Sequence, residues 1–144
     1  MTTEKSRKLQ SIKILSILGL IISLYLVYSF YFPEINYICN DESIFSCSSV
    51  TTSKYSTLFN MPVSIFGVLW FLVLFGIAQF ILHKKASPKH LLIWNSIGIL
   101  FVLYLIYAEL VLKTICIWCT FLHVIIVISF FLSLVMYRKS PQNI

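Results

Sequence analysis

Charged residues are scarce in this chain of 144 residues. They make up 11% of the sequence, whereas 59% of the residues are hydrophobic and the mean hydropathy is +0.92. A soluble domain of this size could not keep so much apolar surface away from water. The composition therefore excludes an ordinary soluble domain and indicates a protein whose solvent is lipid.

Long apolar runs divide the chain into four segments, at about residues 12–32, 63–83, 91–112 and 115–137. Each has about 20 residues, which at ~1.5 Å per residue matches a hydrocarbon core of roughly 30 Å. Internal repeats and linkers to another domain are absent. We predict an all-α integral membrane protein, a four-transmembrane-helix bundle in which residues 1–144 form a single domain.

Basic residues are concentrated at the predicted cytoplasmic ends of the spans. Only Lys54 and Lys113 fall on the other side, and the remaining Lys and Arg residues lie before or at the start of span one, between spans two and three, and after span four. This positive-inside bias predicts that both termini are cytoplasmic. It also accounts for the net charge of +6, so no nucleic-acid partner is needed. A small-residue cleavage site is lacking after the first run, so we expect that span to be retained.

Cysteine is absent from every predicted cytoplasmic segment. Cys39, Cys47, Cys116 and Cys119 all fall on the predicted extracytoplasmic side, where disulfides form and persist. An even number at two distinct spacings implies pairs, although the spacing leaves their connectivity open.

The second pair forms a C-x-x-C at the start of the fourth span. Cys116 and Cys119 share one helix face, and the helix N-terminus, with Lys113 nearby, favours the thiolate. His123 is one turn deeper on the same face, roughly 6 Å below Cys119. We interpret this line as a redox site facing a membrane-soluble oxidant. A structural disulfide or half of a metal site is the alternative for the cysteines, and an interhelical hydrogen bond is the alternative for His123.

The loop between spans one and two, residues 33–62, is too long for a plain connector. Residues 48–60 mix apolar and aromatic residues with Ser and Thr, which predicts a short amphipathic lid helix at the extracytoplasmic membrane surface. Cys39 and Cys47 of this loop could form a static disulfide. Beside a C-x-x-C on the same face, we favour a relay in which one exchanges with an outside thiol and the other with the helix pair.

Four further residues in the spans have polar or aromatic side chains of interest. Glu109 lies four residues before Lys113, and we favour an interfacial ion pair between them over a proton-relay role. Trp70 and Trp94 are interpreted as interfacial or packing residues, whereas Trp118, inside the C-x-x-C, could shape a pocket.

Together these motifs resemble the vitamin K epoxide reductase family, especially its single-domain prokaryotic members. The matching segments are Cys39-x7-Cys47, SSVTTSKY at 48–55, NMPVSIFG at 60–67 and ICIWCTFLH at 115–123. The resemblance covers about residues 12–137. C-x-x-C alone is a weak signal, but two pairs in this order at these membrane positions are a strong one.

The resemblance implies a role for each cysteine. Cys39 would form the mixed disulfide with a partner, Cys47 would pass electrons to Cys116, and Cys119 would face a quinone such as ubiquinone or menaquinone. Val63 stands where the vertebrate enzymes use asparagine, which fits quinone-linked disulfide formation better than vitamin K epoxide reduction. The cofactor-binding residues expected on this basis are His123, Val63, Phe66, Ser53, Tyr55 and Trp118.

We therefore predict a membrane thiol–disulfide oxidoreductase that oxidises a thioredoxin-like or disulfide-isomerase-like protein in trans, with a quinone as cofactor and no metal. Three alternatives are weighed. An unrelated four-helix family couples disulfides to quinones, but it has the two cysteine pairs in the reverse order. A structural tetraspan protein would keep both pairs as permanent disulfides. A zinc site formed by the four thiols and His123 is disfavoured by an oxidising compartment.

Overall fold

The computed structural model describes residues 3–32, 54 and 57–140. Four of the described elements are helices, each long and apolar enough to cross a membrane. The predicted four-helix membrane bundle is confirmed. In chain order the elements are α1 (Thr3–Tyr31), β1 (Thr57–Leu58), β2 (Met61–Pro62), α2 (Val63–Leu82), α3 (Pro88–Leu112) and α4 (Ile117–Lys139).

The ends of the helices follow local sequence signals. Pro62, with φ −63° and ψ 135°, is the extended residue before α2. Ser87 caps α3 by accepting a hydrogen bond from the backbone N–H of Lys89, and Pro88 takes the first helical position. Lys113 ends α3 in the left-handed conformation, with φ 52°. The short turn after it brings α4 back antiparallel to α3.

Small residues bring α1 and α2 together. Gly19 faces the ring of Phe71, and Gly67 faces the hydroxyl of Ser23, so each helix leaves room for a side chain of the other. Without a hydrophobic effect between helices in lipid, such close backbone approach is the main source of packing energy. The buried residues of α1 accordingly recur every three or four positions, at Leu9, Ile12, Ser16, Gly19, Ser23, Leu26 and Ser29.

Polar contacts help to join α3 to α4. Asn95 is fully buried and its side-chain amide donates to the Leu91 carbonyl at 3.0 Å and to Ser133 Oγ at 3.4 Å. By contrast, α2 and α3 touch only sparsely along their length. A cavity of the bundle opens in the space between these two helices.

The segment before α2 is a hairpin rather than a helix. Thr57 pairs with Pro62 and Leu58 with Met61, and the turn residues Phe59 and Asn60 have φ values of 53° and 63°. Two successive left-handed residues are the conformation that a tight two-residue hairpin requires. The predicted amphipathic helix over residues 48–60 is therefore wrong for residues 57–60. Except for residue 54, the remainder of that prediction lies outside the described residues.

Candidate functional site

The N-terminus of α4 is capped by a cysteine. Cys116 is extended, with φ −91° and ψ 113°, and its Sγ accepts a hydrogen bond from the backbone N–H of Cys119 at 3.3 Å. Its carbonyl accepts from the backbone N–H and the hydroxyl of Thr120, both at 2.9 Å. Cys116 thus lies just before the helix, in the position that Ser or Asp usually takes. The sulfur consequently meets the positive end of the helix dipole.

Cys116 is fully buried in a small apolar cluster at this end of the bundle. Leu26 of α1 is its buried neighbour, and Ile22, Trp118, Cys119 and Leu122 pack around the pair. Hydrogen bonds from the thiol and the backbone N–H of Cys119 hold the pKa of the Cys116 thiol below its usual range, although burial acts in the opposite direction. The arrangement favours a thiolate at Cys116 beside a thiol at Cys119.

An apolar cavity of about 570 Å³ lies below this cap. Its volume is typical of small-molecule sites. Cys119 and, one turn deeper, His123 contribute to it from α4, while Val63 and Phe66 contribute from the first turn of α2. Apart from a few polar side chains the lining is aliphatic and aromatic. This cavity can hold a flat apolar ring with Cys119 Sγ and the His123 ring at its edge.

The predicted cofactor contacts are only partly brought together. Val63, Phe66 and His123 line the cavity with Cys119. Trp118 does not, because one residue rotates the helix by about 100° and turns this ring onto Tyr25 of α1, at 5.2 Å between ring centroids. The expectation that Trp118 shapes the pocket is therefore corrected to a packing role between α1 and α4. The remaining predicted residues, Cys39, Cys47, Ser53 and Tyr55, lie outside the described residues and stay predictions.

Aromatic residues of α2 and α3 form one wall of the cavity, a role that the sequence did not predict for them. Trp70 and Trp94 stack with centroids 6.2 Å apart and planes at 17°, and Trp94 Nε1 donates to the Trp70 carbonyl at 3.3 Å. Both line the cavity, as do Phe101 and Tyr104. The position of Trp70 along its span could have indicated this role. Trp70 lies roughly 10 Å along α2 from Val63, deeper in the membrane than an interfacial tryptophan.

Glu109 does not form the ion pair that the sequence favoured. It is only 9% exposed, and its carboxyl lies against the backbone N–H of Cys116, whereas Lys113 is exposed. The left-handed conformation of Lys113 ends the helix, so the i to i+4 spacing no longer aligns the two side chains. Among the residues that the structure describes, the ion pairs join Glu4 to Lys8 and to Lys139. Glu109 instead lines the cavity with Cys119 and His123.

A family comparison agrees with this geometry. The model of the vitamin K epoxide reductase family matches residues 11–134. The chain belongs to this family. Comparison with curated proteins gives no match. Membership makes the chain an integral membrane protein with thiol–disulfide oxidoreductase activity, and the family generally uses quinones.

The residues that line the cavity fit a quinone. Its walls are almost wholly apolar, and His123, 7% exposed, has a ring Nε2 with no hydrogen-bond partner among the described residues. A buried polar atom without a partner is costly, and a ring carbonyl oxygen would supply one. The thiol of Cys119 lines the same space. Val63, Phe66 and His123 are the residues that would hold the ring there.

Proposed function

We propose that the chain oxidises the dithiol of a thioredoxin-like protein and passes the electrons, through Cys39 and Cys47 and then Cys116 and Cys119, to a membrane quinone. This activity would support disulfide formation in partner proteins. The observation that carries the proposal is that Cys119 and His123 line one apolar cavity directly below the helix end capped by Cys116. A thiol pair and a quinone-sized space thus meet at one point.

We orient the bundle with this cysteine end on the extracytoplasmic side and both termini in the cytoplasm. The support is the distribution of charge, because the basic residues of the described helices cluster at the opposite end, early in α1, around the turn from α2 to α3, and at the end of α4. Disulfides formed at an extracytoplasmic site would persist.

The two helix cysteines have different tasks in this mechanism. Cys119, which lines the cavity, gives its electrons to the bound oxidant, while the buried Cys116 behind it closes the disulfide between them. A quinone, when bound, accepts two electrons and two protons. The N-cap position holds the Cys116 sulfur within reach of Cys119, three residues along the chain. Thiol–disulfide exchange with Cys47 then returns the pair to its reduced state.

The residues at the rim of the cavity favour quinone reduction over epoxide reduction. Val63, at the first position of α2, offers no hydrogen bond to a ring oxygen. The ring would be held at that side by packing against Val63 and Phe66. The polar contact would come from His123 at the other side. Binding energy would thus come mainly from apolar contact.

The direct test is Cys119→Ala in purified protein, with dithiothreitol as electron donor and a soluble quinone as acceptor. We expect quinone reduction to fall to the uncatalysed rate, because the remaining sulfur at Cys116 is buried and has no partner on α4. Ser129→Ala, on the same helix and also buried, is the matched control and should retain activity. A fully active Cys119→Ala protein would contradict the proposed function.

A further inference from the structure

A second cavity, of about 670 Å³, lies between α3 and α4. It is lined at one end by Lys113 and Thr114 of the turn between these helices, and Lys113 is exposed. Among the described residues, Glu109 and His123 are the two that line both this cavity and the quinone cavity. The two side chains therefore stand where the cavities adjoin.

Both shared residues are ionisable, and both have a buried polar atom that finds no partner among the residues described. Glu109 is 9% exposed and His123 is 7% exposed. Within the described residues, Glu109 Oε1 and His123 Nε2 accept or donate no hydrogen bond. Ionisable residues inside a membrane protein are costly, and they commonly mark ion or proton pathways. The hydroxyl of Thr114, at the turn, is likewise unpaired within this part of the chain and faces the same second cavity.

The redox reaction needs a proton from outside the cysteine pair. Cys116 Sγ lies at the positive end of α4 and accepts a hydrogen bond from the backbone N–H of Cys119, which favours its thiolate form. From a thiolate at Cys116 and a thiol at Cys119, closing the disulfide breaks one S–H bond and releases two electrons and one proton. The oxidant takes up two electrons and two protons. From this form of the pair, one further proton has to enter from water. Both cavities have mostly apolar walls, but the second one reaches the exposed Lys113 and the hydroxyl of Thr114 at the turn.

We propose that Glu109 and His123 form a proton relay that carries this proton from the second cavity to the quinone cavity. The inference rests on the proposed function. In the balanced step, the thiolate, the thiol, the quinone and one proton from the second cavity give a disulfide and a quinol. Glu109 takes the proton on the side of Thr114 and Lys113, and His123 delivers it beside Cys119.

Few of the residues that the structure describes bring a charged or titratable group near Glu109. On its own helix and the turn they are Tyr104 and Lys113, and from the start of α4 they are Cys116, Cys119 and His123. The lining residues described from α1 and α2 contain no ionisable side chain. Within the part of the chain that the structure describes, the ionisable groups around a relay through Glu109 thus belong to α3, α4 and the turn between them.

Glu109→Gln tests the relay against a structural role. Glutamine keeps the size of the side chain and can still accept a hydrogen bond from the Cys116 backbone N–H, but it cannot carry a proton. With dithiothreitol and a soluble quinone, we expect kcat to fall about 10²-fold, with little change in KM for the quinone, and Glu109→Asp to retain more activity. The solvent deuterium isotope effect on kcat should rise. The matched control is Glu4→Gln, which removes an exposed carboxylate and should match wild type.

A second readout needs no quinone. The pair is switched between dithiol and disulfide with dithiothreitol and a soluble disulfide oxidant, and the infrared difference spectrum is recorded. We expect the difference spectrum to contain the carbonyl band of a protonated carboxyl, which shifts on deuterium exchange. The band should be present in wild type and in Glu4→Gln, and absent in Glu109→Gln. This would mean that Glu109 changes its proton occupancy when the neighbouring sulfurs change their charge. Absence of the band in wild type would overturn the relay.

The outcomes separate the relay from the proposed function. Wild-type protein that reduces quinone no faster than buffer would overturn both. Wild-type protein that reduces quinone, matched by Glu109→Gln, would overturn the relay and leave the proposed function standing. A third outcome is that Glu109→Gln is slow but has the isotope effect of wild type, and that Glu109→Asp is as slow as Glu109→Gln. This would mean that Glu109 has a structural role, which also overturns the relay.

Discussion

Glu4 and Glu109 stand at opposite ends of the bundle and have opposite surroundings. Glu4 is exposed and bonds to Lys8 and Lys139, each at 2.7 Å, which links the start of α1 to the end of α4. Glu109 is buried, and its Oε1 has no partner among the described residues. Exposed pairs contribute little to stability, but an unpaired buried carboxyl is expensive. The carboxylate at one end is thus stabilised by two lysines, whereas the carboxyl at the cysteine end is buried at a cost in free energy.

The histidines repeat the contrast. At the end of the bundle that holds Glu4, His83 has its Nε2 3.1 Å from the Gln79 amide nitrogen, and His90 contacts the Ser87 carbonyl at 3.3 Å. His123, at the cysteine end, is buried with its Nε2 unpaired within the described residues. The buried ionisable groups of α3 and α4, Glu109 and His123, thus lie at the end of the bundle that holds Cys116 and Cys119. Three predictions sharpen this difference between the two ends.

The largest expected effect is on disulfide exchange with a partner protein, which we place at the cysteine end of the bundle. Cys47→Ala should leave Cys39 unable to release its partner, because the resolving thiol of the loop is missing. A thioredoxin-like protein should then accumulate as a disulfide-linked species with this chain on non-reducing gels, and disappear on reduction. Cys39→Ala is the control and should give no such species. If Cys47→Ala captures no partner, the order of electron transfer is wrong.

A smaller effect compares the histidines of the two ends. His123→Leu should raise KM for the quinone by about 10- to 100-fold, as expected for the loss of one well-placed hydrogen bond of roughly 1–3 kcal/mol. His90→Leu should leave KM within about twofold, because its ring lies at the far end of α3. Steady-state kinetics with varied quinone would measure both. Equal KM values for the two variants would remove His123 from the binding site.

The smallest effect concerns the ionisation of Cys116. Its lowered pKa means that the thiolate is present above that pKa and is lost only as the pH falls through it, below the range of an ordinary thiol. Removing the Cys119 thiol, in Cys119→Ala, removes the largest stabilising contact, so the thiolate should appear at a higher pH. Ultraviolet absorbance of the thiolate, followed against pH in a Cys39→Ala, Cys47→Ala background, measures the midpoint. An unchanged midpoint would mean that the Cys119 thiol does not stabilise the anion.

The sequence alone predicted the membrane bundle because about 20 apolar residues between basic flanks leave few other structures open. It also anticipated that Cys119 and His123 share a face, since four residues make about one turn. It misplaced Trp118 and Glu109 for one reason: their neighbours depend on how helices pack and where a helix ends. The left-handed Lys113 and the N-cap position of Cys116 are tertiary details that an i to i+4 rule cannot supply.

The cavity was likewise beyond the sequence pattern. Trp70 and Trp94 appear as ordinary membrane tryptophans in the sequence, but Gly98 leaves space for the Trp70 ring, so the two indoles stack inside the bundle. The hairpin at residues 57–60 depends on two left-handed residues, Phe59 and Asn60, and only the second is a residue that favours this conformation.

The most direct measurement is a thiol count on purified, fully reduced protein before and after a soluble quinone is added, by maleimide gel shift. The account predicts that thiols are lost within minutes in wild type and that Cys119→Ala prevents the loss. Thiols that stay reduced in the wild-type protein would contradict a quinone-coupled thiol oxidase and favour a structural role for the cysteine pairs, or an electron acceptor other than a quinone.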